Sequence, residues 1–398
     1  MKIITCALFV FLASSIVVTG QKKVYDIATY GGLPNGDITQ ALIKAWKAAC
    51  TGRYPGRIFI KKGKYRMGDV QLKGPCKARS IEIYSDGTIE APGDIALMHG
   101  APQWIRVEYV NHFTLAGHGI FDGRGPAAYH HNTCSKNVNC KMLTMNFGFS
   151  FLNNSVIRDV TSKDSKNFHV NVLGCNNIAF KNIKITAPED SPNTDGIHIG
   201  RSNGVRIRNT QIATGDDCIS LGDGSVNVLV EGVTCGPGHG ISVGSVGKFK
   251  HEEPIHGLTV KNCTISNTMN GVRIKTWPAE PGTISITKMH FENILMKNVS
   301  NPVIIDQEYC PWNQCNKKIP SKVRISDVTF KNIRGTSGTK EGVTLICSAG
   351  VPCQNVKLSN VKLTYRGKQV VAKCANAMPI VKGIAPACQR ARRGAAAA

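Results

Sequence analysis

The chain has 398 residues, 42% of them hydrophobic, and a formal net charge of +23. That apolar content suffices for a packed core and excludes wholesale disorder. The excess of cations points to polyanionic partners, with nucleic acid, acidic lipid and acidic polysaccharide as the chemical classes.

The first element is a leader. Lys2 precedes an apolar run from Ile3 to Val18, then Thr19-Gly20. This pattern predicts a signal peptide over residues 1–20, too short and wrongly flanked for a membrane anchor. Export favours polysaccharide among the polyanions. It also favours disulfides for the fourteen cysteines left once Cys6 departs with the leader. Paired zinc spacing is absent, so no metal is expected. Asn153, Asn262 and Asn298 open glycosylation sequons.

Next comes a helix. "DITQALIKAWKAAC" places Asp37 as N-cap with Gln40 three residues on, and Leu42, Ala45, Trp46 and Ala49 form one apolar stripe. From residue 110 onward the chain repeats a short phrase of alternating apolar residues with a central Asn. Copies are "NIAFKNIKI" from Asn177, "GVRIRNTQI" from Gly204, "NVLVEGVTC" from Asn227 and "GLTVKNCTI" from Gly257, spaced 27, 23 and 30 residues apart. Period two means strand, and a fixed interval of this size means a solenoid. No leucine consensus and no helical period is present, and a β-sandwich would turn every 8–12 residues. The fold class expected is therefore all-β, a parallel β-helix, with the helix capping its first coil. Asn at one fixed site per coil suits a left-handed turn and could align into a ladder. The cysteine-rich segment Cys347 to Cys388 is the candidate cap at the far end. The span 21–388 reads as a single domain, and 389–398 as an unstructured tail.

The remaining signal is a concentration of acid in this basic chain. From Asp195 to Asp216 is 21 residues, from Asp216 to His239 is 23, and from His239 to Arg273 is 34. Each step is about one coil, and coils stack about 4.8 Å apart. "NTD", "GDD", "GHG" and "RIK" should then lie above one another on one face. Taken singly, Asp216-Asp217 suits a turn or a calcium site, His239 a loop, and Arg273 and Lys275 a solvated surface. Tyr309 beside Cys310 suits core packing, and Asn193 suits a turn. Their shared coil spacing is what argues for a groove that performs chemistry.

Asn193-Thr194-Asp195, Gly215-Asp216-Asp217, Gly238-His239-Gly240 and Arg273-Ile274-Lys275 appear in order. They resemble the four signature motifs of the polygalacturonases, the pectin-cleaving glycoside hydrolases of family 28, and Tyr309 matches a further family position. The resemblance covers nearly the whole mature chain and is most like the pollen-type exopolygalacturonases. It implies a right-handed parallel β-helix and a secreted, cell-wall enzyme that hydrolyses polygalacturonate with inversion, without cofactor or metal. It further implies action as a monomer, with neither nucleic acid nor membrane as partner. In that family Asp216 corresponds to the proton donor, and Asp195 and Asp217 to the pair that activates water. His239 would tune the acid, Arg273 and Lys275 would bind a galacturonate carboxylate, and Asn193 and Tyr309 would seat the sugar. The resemblance also implies local disulfides Cys218–Cys235, Cys347–Cys353 and Cys374–Cys388.

Inversion at a glycosidic bond ordinarily needs an acid and a base about 6.5–9.5 Å apart. Neighbours on one strand face opposite ways, so Asp216 and Asp217 need a bend, which Gly215 could permit. Pectate lyase, a non-catalytic polysaccharide binder and a nucleic-acid binder are the rival readings. The four motifs argue for hydrolysis over elimination, a mere binder does not explain the carboxylate cluster, and the leader counts against nucleic acid. Two loops, Pro126 to Met142 and Lys248 to His256, are candidate walls for an exo-acting groove, with Cys134 and Cys140 bracing the first.

Overall fold

The computed structural model describes residues 22–134, 137 and 139–390. The predicted leader, and the tail beyond 390, lie outside the described residues. The protein is a parallel β-helix. One face is a 12-stranded sheet that begins with Val70–Lys73 and ends with Cys388–Arg390. The other two faces are further ladders of parallel strands. They merge in the last third of the chain, where Ser285–Val299, Arg324–Ser337 and Gln354–Tyr365 run continuously across both. The terminal strand extends to Arg390, two residues into the segment expected to be tail.

The alternation in the sequence explains the packing. Inward positions stack by type along the solenoid: Ile197, Ile219, Ile241, Val272 and Val303 are in register and fully buried. On the opposite wall Val260, Phe291, Phe330 and Leu358 do the same, and the rings of Phe291 and Phe330 stack at 5.1 Å. Each such column removes apolar area from water at roughly 25 cal/mol per Å².

The recurring Asn of the repeat forms the expected ladder. Asn262, Asn293, Asn332 and Asn360 all have φ between 52° and 56°. The amide of each donates to the carbonyl of the one before, at 3.3, 2.9 and 3.4 Å. Asn is suited here because its short polar side chain tolerates the left-handed turn.

The helix spans Thr39–Thr51, with Ile38 rather than Asp37 at the N-cap position. Asp37 still accepts from the Thr39 amide at 2.7 Å. Leu42, Ala45, Trp46 and Ala49 are buried against the first coil, and the Trp46 indole donates to the Lys73 carbonyl. At the far end, Cys374–Cys388 ties the last two strands of the 12-stranded sheet.

Among the described residues six disulfides are present, including the three that family resemblance implied and Cys134–Cys140. The expectation that all fourteen cysteines pair is overturned. Cys175 and Cys263 are free and buried, and burial pushes both thiols up to about 11. Cys175 sits where the chain leaves the 12-stranded sheet, and Cys263 sits between the other two ladders. They occupy different corners of the coil and act as small apolar residues.

Candidate active site

The acidic motifs lie in the turns that lead into three neighbouring strands, Ile197–Gly200, Ile219–Leu221 and Ile241–Val246. Those strands pair in register, and the turns do too: Gly196 N donates to Asp217 O, and Cys218 N to Gly240 O. Asp195, Asp217 and His239 therefore form one row, each two residues before its strand. Arg273 does not belong to that row. It pairs with Ser242, which pairs with Ser220 and then His198, so "RIK" lies further along the strands than expected. Its side chains reach back to the acids.

The local backbone requires its glycines. A Cβ on Gly215 would stand 2.0 Å from the Ser191 carbonyl, so Gly215 is there for close approach and not, as expected, for a special bend. Gly238 and Gly240 have φ of 137° and 85°, which only glycine adopts freely, and they project His239 towards the acids. Asn193 also has positive φ, at 53°.

Each carboxylate has a different environment. Asp217 is almost fully buried; its Oδ1 accepts from Arg273 Nη2 at 3.0 Å and Ser242 Oγ at 2.8 Å, and its Oδ2 from Lys275 Nζ at 2.8 Å. Burial alone would raise its pKa, but the Lys275 and Arg273 charges overcome that and hold the carboxyl below the usual range. Asp195 accepts one bond, from Ser220 Oγ at 2.7 Å. Burial, then repulsion from Asp216 and Asp217, pushes Asp195 well above the usual carboxylate range. Asp216 is the most open of the three. Its Oδ1 meets His239 Nδ1 at 3.0 Å and the Asp217 amide at 2.8 Å, and Asn193 Nδ2 approaches Oδ2 at 3.5 Å.

Ligand atoms of Asp216, Asp217 and His239 lie within 4.8 Å of one another. This is closer than the roughly 6.5–9.5 Å expected between the two carboxyls of an inverting site. The reason is local: Asp216 folds back onto the next residue's amide. A cation could be imagined among these atoms. Both oxygens of Asp217, however, are already paired with Lys275 and Arg273, which neutralise the charge a metal would need.

All eight residues singled out in the sequence line one groove of about 620 Å³: Asn193, Asp195, Asp216, Asp217, His239, Arg273, Lys275 and Tyr309. Lys275 is only 7% exposed and its charge is spent on Asp217, as is one arm of Arg273. Both cations lie over the Tyr309 ring, at 5.9 and 5.3 Å. The sequence reading missed Phe168, His198, Ser220, Trp277 and Trp312 in the lining, and Ser242 behind it. The two serines carried a usable signal, since each lies three residues after a motif residue on successive coils.

Residues 50–388 match the family described as glycosyl hydrolases family 28. The chain belongs to that family. It is 55% identical to a polygalacturonase of Medicago sativa over 98% of this chain and 93% of the relative. It is 52% identical to an exopolygalacturonase of Oenothera organensis, over 87% of this chain and 96% of the relative. In fold it is similar to an endo-xylogalacturonan hydrolase from Aspergillus tubingensis, with a TM-score of 0.77 and 22% identity over 90% of this chain and all of that one. This family 28 chain is a glycoside hydrolase, and the acid-rich groove is its candidate active site.

Proposed function

We propose that the protein is a secreted polygalacturonase that hydrolyses α-1,4 bonds between galacturonate residues of pectin. The observation that carries this reading is the groove itself, where three differently tuned carboxylates face two cations and an aromatic ring. The names of the relatives agree with it, and the six disulfides suit an oxidising compartment.

Asp216 is the proton donor in this reading, because it is the carboxyl most open to the groove and His239 is placed to stabilise its charge after transfer. Asp217, held ionised, draws the proton from water, and Asp195 orients that water beside it. Arg273, through its remaining nitrogen Nη1, takes a galacturonate carboxylate, Lys275 keeps Asp217 charged, and Tyr309 and Asn193 seat the sugar. Release of reducing ends from polygalacturonate in the presence of chelator, without ultraviolet-absorbing unsaturated sugars, tests hydrolysis against elimination. Inversion rests on family resemblance, since the carboxyl spacing does not carry it. Proton NMR of the first product anomer decides it, with the β-anomer expected.

The same reading assigns exo action. The loop Pro126 to Met142 brings Cys134 to the groove, and the Trp312 indole donates to the Cys134 carbonyl at 3.1 Å. Lys248, from the second candidate loop, lies over Trp277 and Trp312 at 5.0 and 5.6 Å. These contacts set both loops beside the groove, and closure of one end by them would admit only a chain terminus. Galacturonic acid monomer is expected from the first minutes of digestion, and early mixed oligomers would mean endo action.

A further inference from the structure

Beside the row of acids runs a second row, His198, Ser220, Ser242 and Arg273, in register on adjacent strands. Ser242 gives its proton to Asp217 and receives Arg273 Nε at 3.2 Å. Ser220 is placed alike, giving its proton to Asp195 Oδ2 and lying 2.8 Å from His198 Nδ1. A hydroxyl has one proton to give. With that proton on Asp195 Oδ2, any proton of Asp195 itself being on Oδ1, Ser220 can only accept from the ring, so Nδ1 carries hydrogen. A neutral imidazole has one N–H, which leaves Nε2 with a bare lone pair. Burial, then the Lys275 charge, lowers the His198 pKa to about 4, so the ring is neutral across the ordinary range. His198 lines the groove, and so does Gly222, on which a Cβ would stand 3.3 Å from Nε2. Glycine at that position leaves the lone pair uncovered.

We propose that His198 is a hydroxyl-reading residue of the substrate groove, accepting a sugar O–H at Nε2 while Ser220 fixes its tautomer against Asp195. The inference rests on the polygalacturonase reading for the identity of the sugar. A carboxylate has no proton to offer that lone pair, whereas Arg273 at the other end of the row has protons only. The row thus reads hydroxyl at one end and carboxylate at the other, and so orients the bound chain in one sense. It also ties recognition to the chemistry, because the same Ser220 proton that sets the tautomer holds Asp195.

Two measurements test it. Long-range proton–nitrogen NMR of histidine-labelled protein, with His198 assigned by the signal lost in His198→Phe, should show the Nδ1–H tautomer at pH 5–7. Ser220→Ala should release it into a mixture of tautomers. An Nε2–H tautomer, an imidazolium, or indifference to Ser220→Ala would overturn the proposal. Second, kcat/KM is compared for oligogalacturonides lacking single hydroxyls. The wild type should lose roughly 3–10-fold on one of them, the worth of one hydrogen bond, and His198→Phe should erase that preference. Equal discrimination by both proteins at every position would sink the proposal. If no galacturonide is turned over at all, the polygalacturonase reading falls, and the tautomer experiment still decides whether Nε2 is an acceptor.

Discussion

The asparagine ladder and the acid row are built by the same operation with opposite results. In each, one side chain repeats on successive coils about 4.8 Å apart. An amide has a donor and an acceptor, so Asn262, Asn293, Asn332 and Asn360 satisfy one another in series. A carboxylate has only acceptors and a charge, so stacking Asp195 on Asp217 satisfies neither. The difference is absorbed by a raised pKa at Asp195 and by pairing Asp217 with Lys275 and Arg273. Stacking neutral amides makes a spine, and stacking acids makes a site that holds a proton ready to move.

Substitutions at four positions probe this contrast, beginning with the greatest expected effect. Asp216→Asn should lower kcat on polygalacturonate by about 10²–10⁴-fold, the usual worth of a general acid, with little change in melting temperature. An activated aryl galacturonide, whose leaving group needs no proton, should recover much of the rate. Failure to recover would move the acid role to Asp195, the carboxyl whose pKa burial raises.

Lys275→Met should destabilise the fold at neutral pH by roughly 3 kcal/mol, because Asp217 stays buried with half its compensation removed. The sign follows from the depressed pKa. The stability due to Asp217 is present above its unfolded value and is lost as pH falls through the folded one. Chemical denaturation at pH 7 and pH 3 should therefore show the deficit shrinking in acid. A deficit that grows in acid would contradict the pairing.

Asp195→Asn should inactivate the enzyme and raise its melting temperature. The folded pKa of Asp195 is raised, so its favourable contribution is full in acid and disappears as pH climbs through that value. The gain from removing it should be larger at pH 7 than at pH 4, as calorimetry would show. A destabilised variant at pH 7 would mean that the stacked acids are not in conflict.

The smallest effect belongs to the spine. Asn293→Gly keeps the left-handed turn, at φ 55°, and loses two ladder bonds, for about 1 kcal/mol in all. Asn293→Ala loses the same bonds and adds about 1–2 kcal/mol of backbone strain. Urea midpoints for the pair separate the two terms, and equal midpoints would show that Asn is there for hydrogen bonding alone.

The sequence by itself determined the solenoid, because alternation and a repeat near one coil length are local patterns that survive without knowledge of contacts. It likewise determined the ladder asparagines, the capping helix and the membership of the acid cluster, since residues one coil apart must become neighbours. Only the tertiary structure decided what each charged group does. Asp195 and Asp217 are the same residue type on adjacent coils, and what separates them is that Lys275 and Arg273 reach one and only Ser220 reaches the other. The second row, from His198 to Arg273, was hidden for a related reason. The acids lie in turns and the row lies on strands, and a turn breaks the two-residue phase that would have linked them. The free state of Cys175 and Cys263 was equally out of reach, because an even count of cysteines carries no information about which corner of a coil each one occupies.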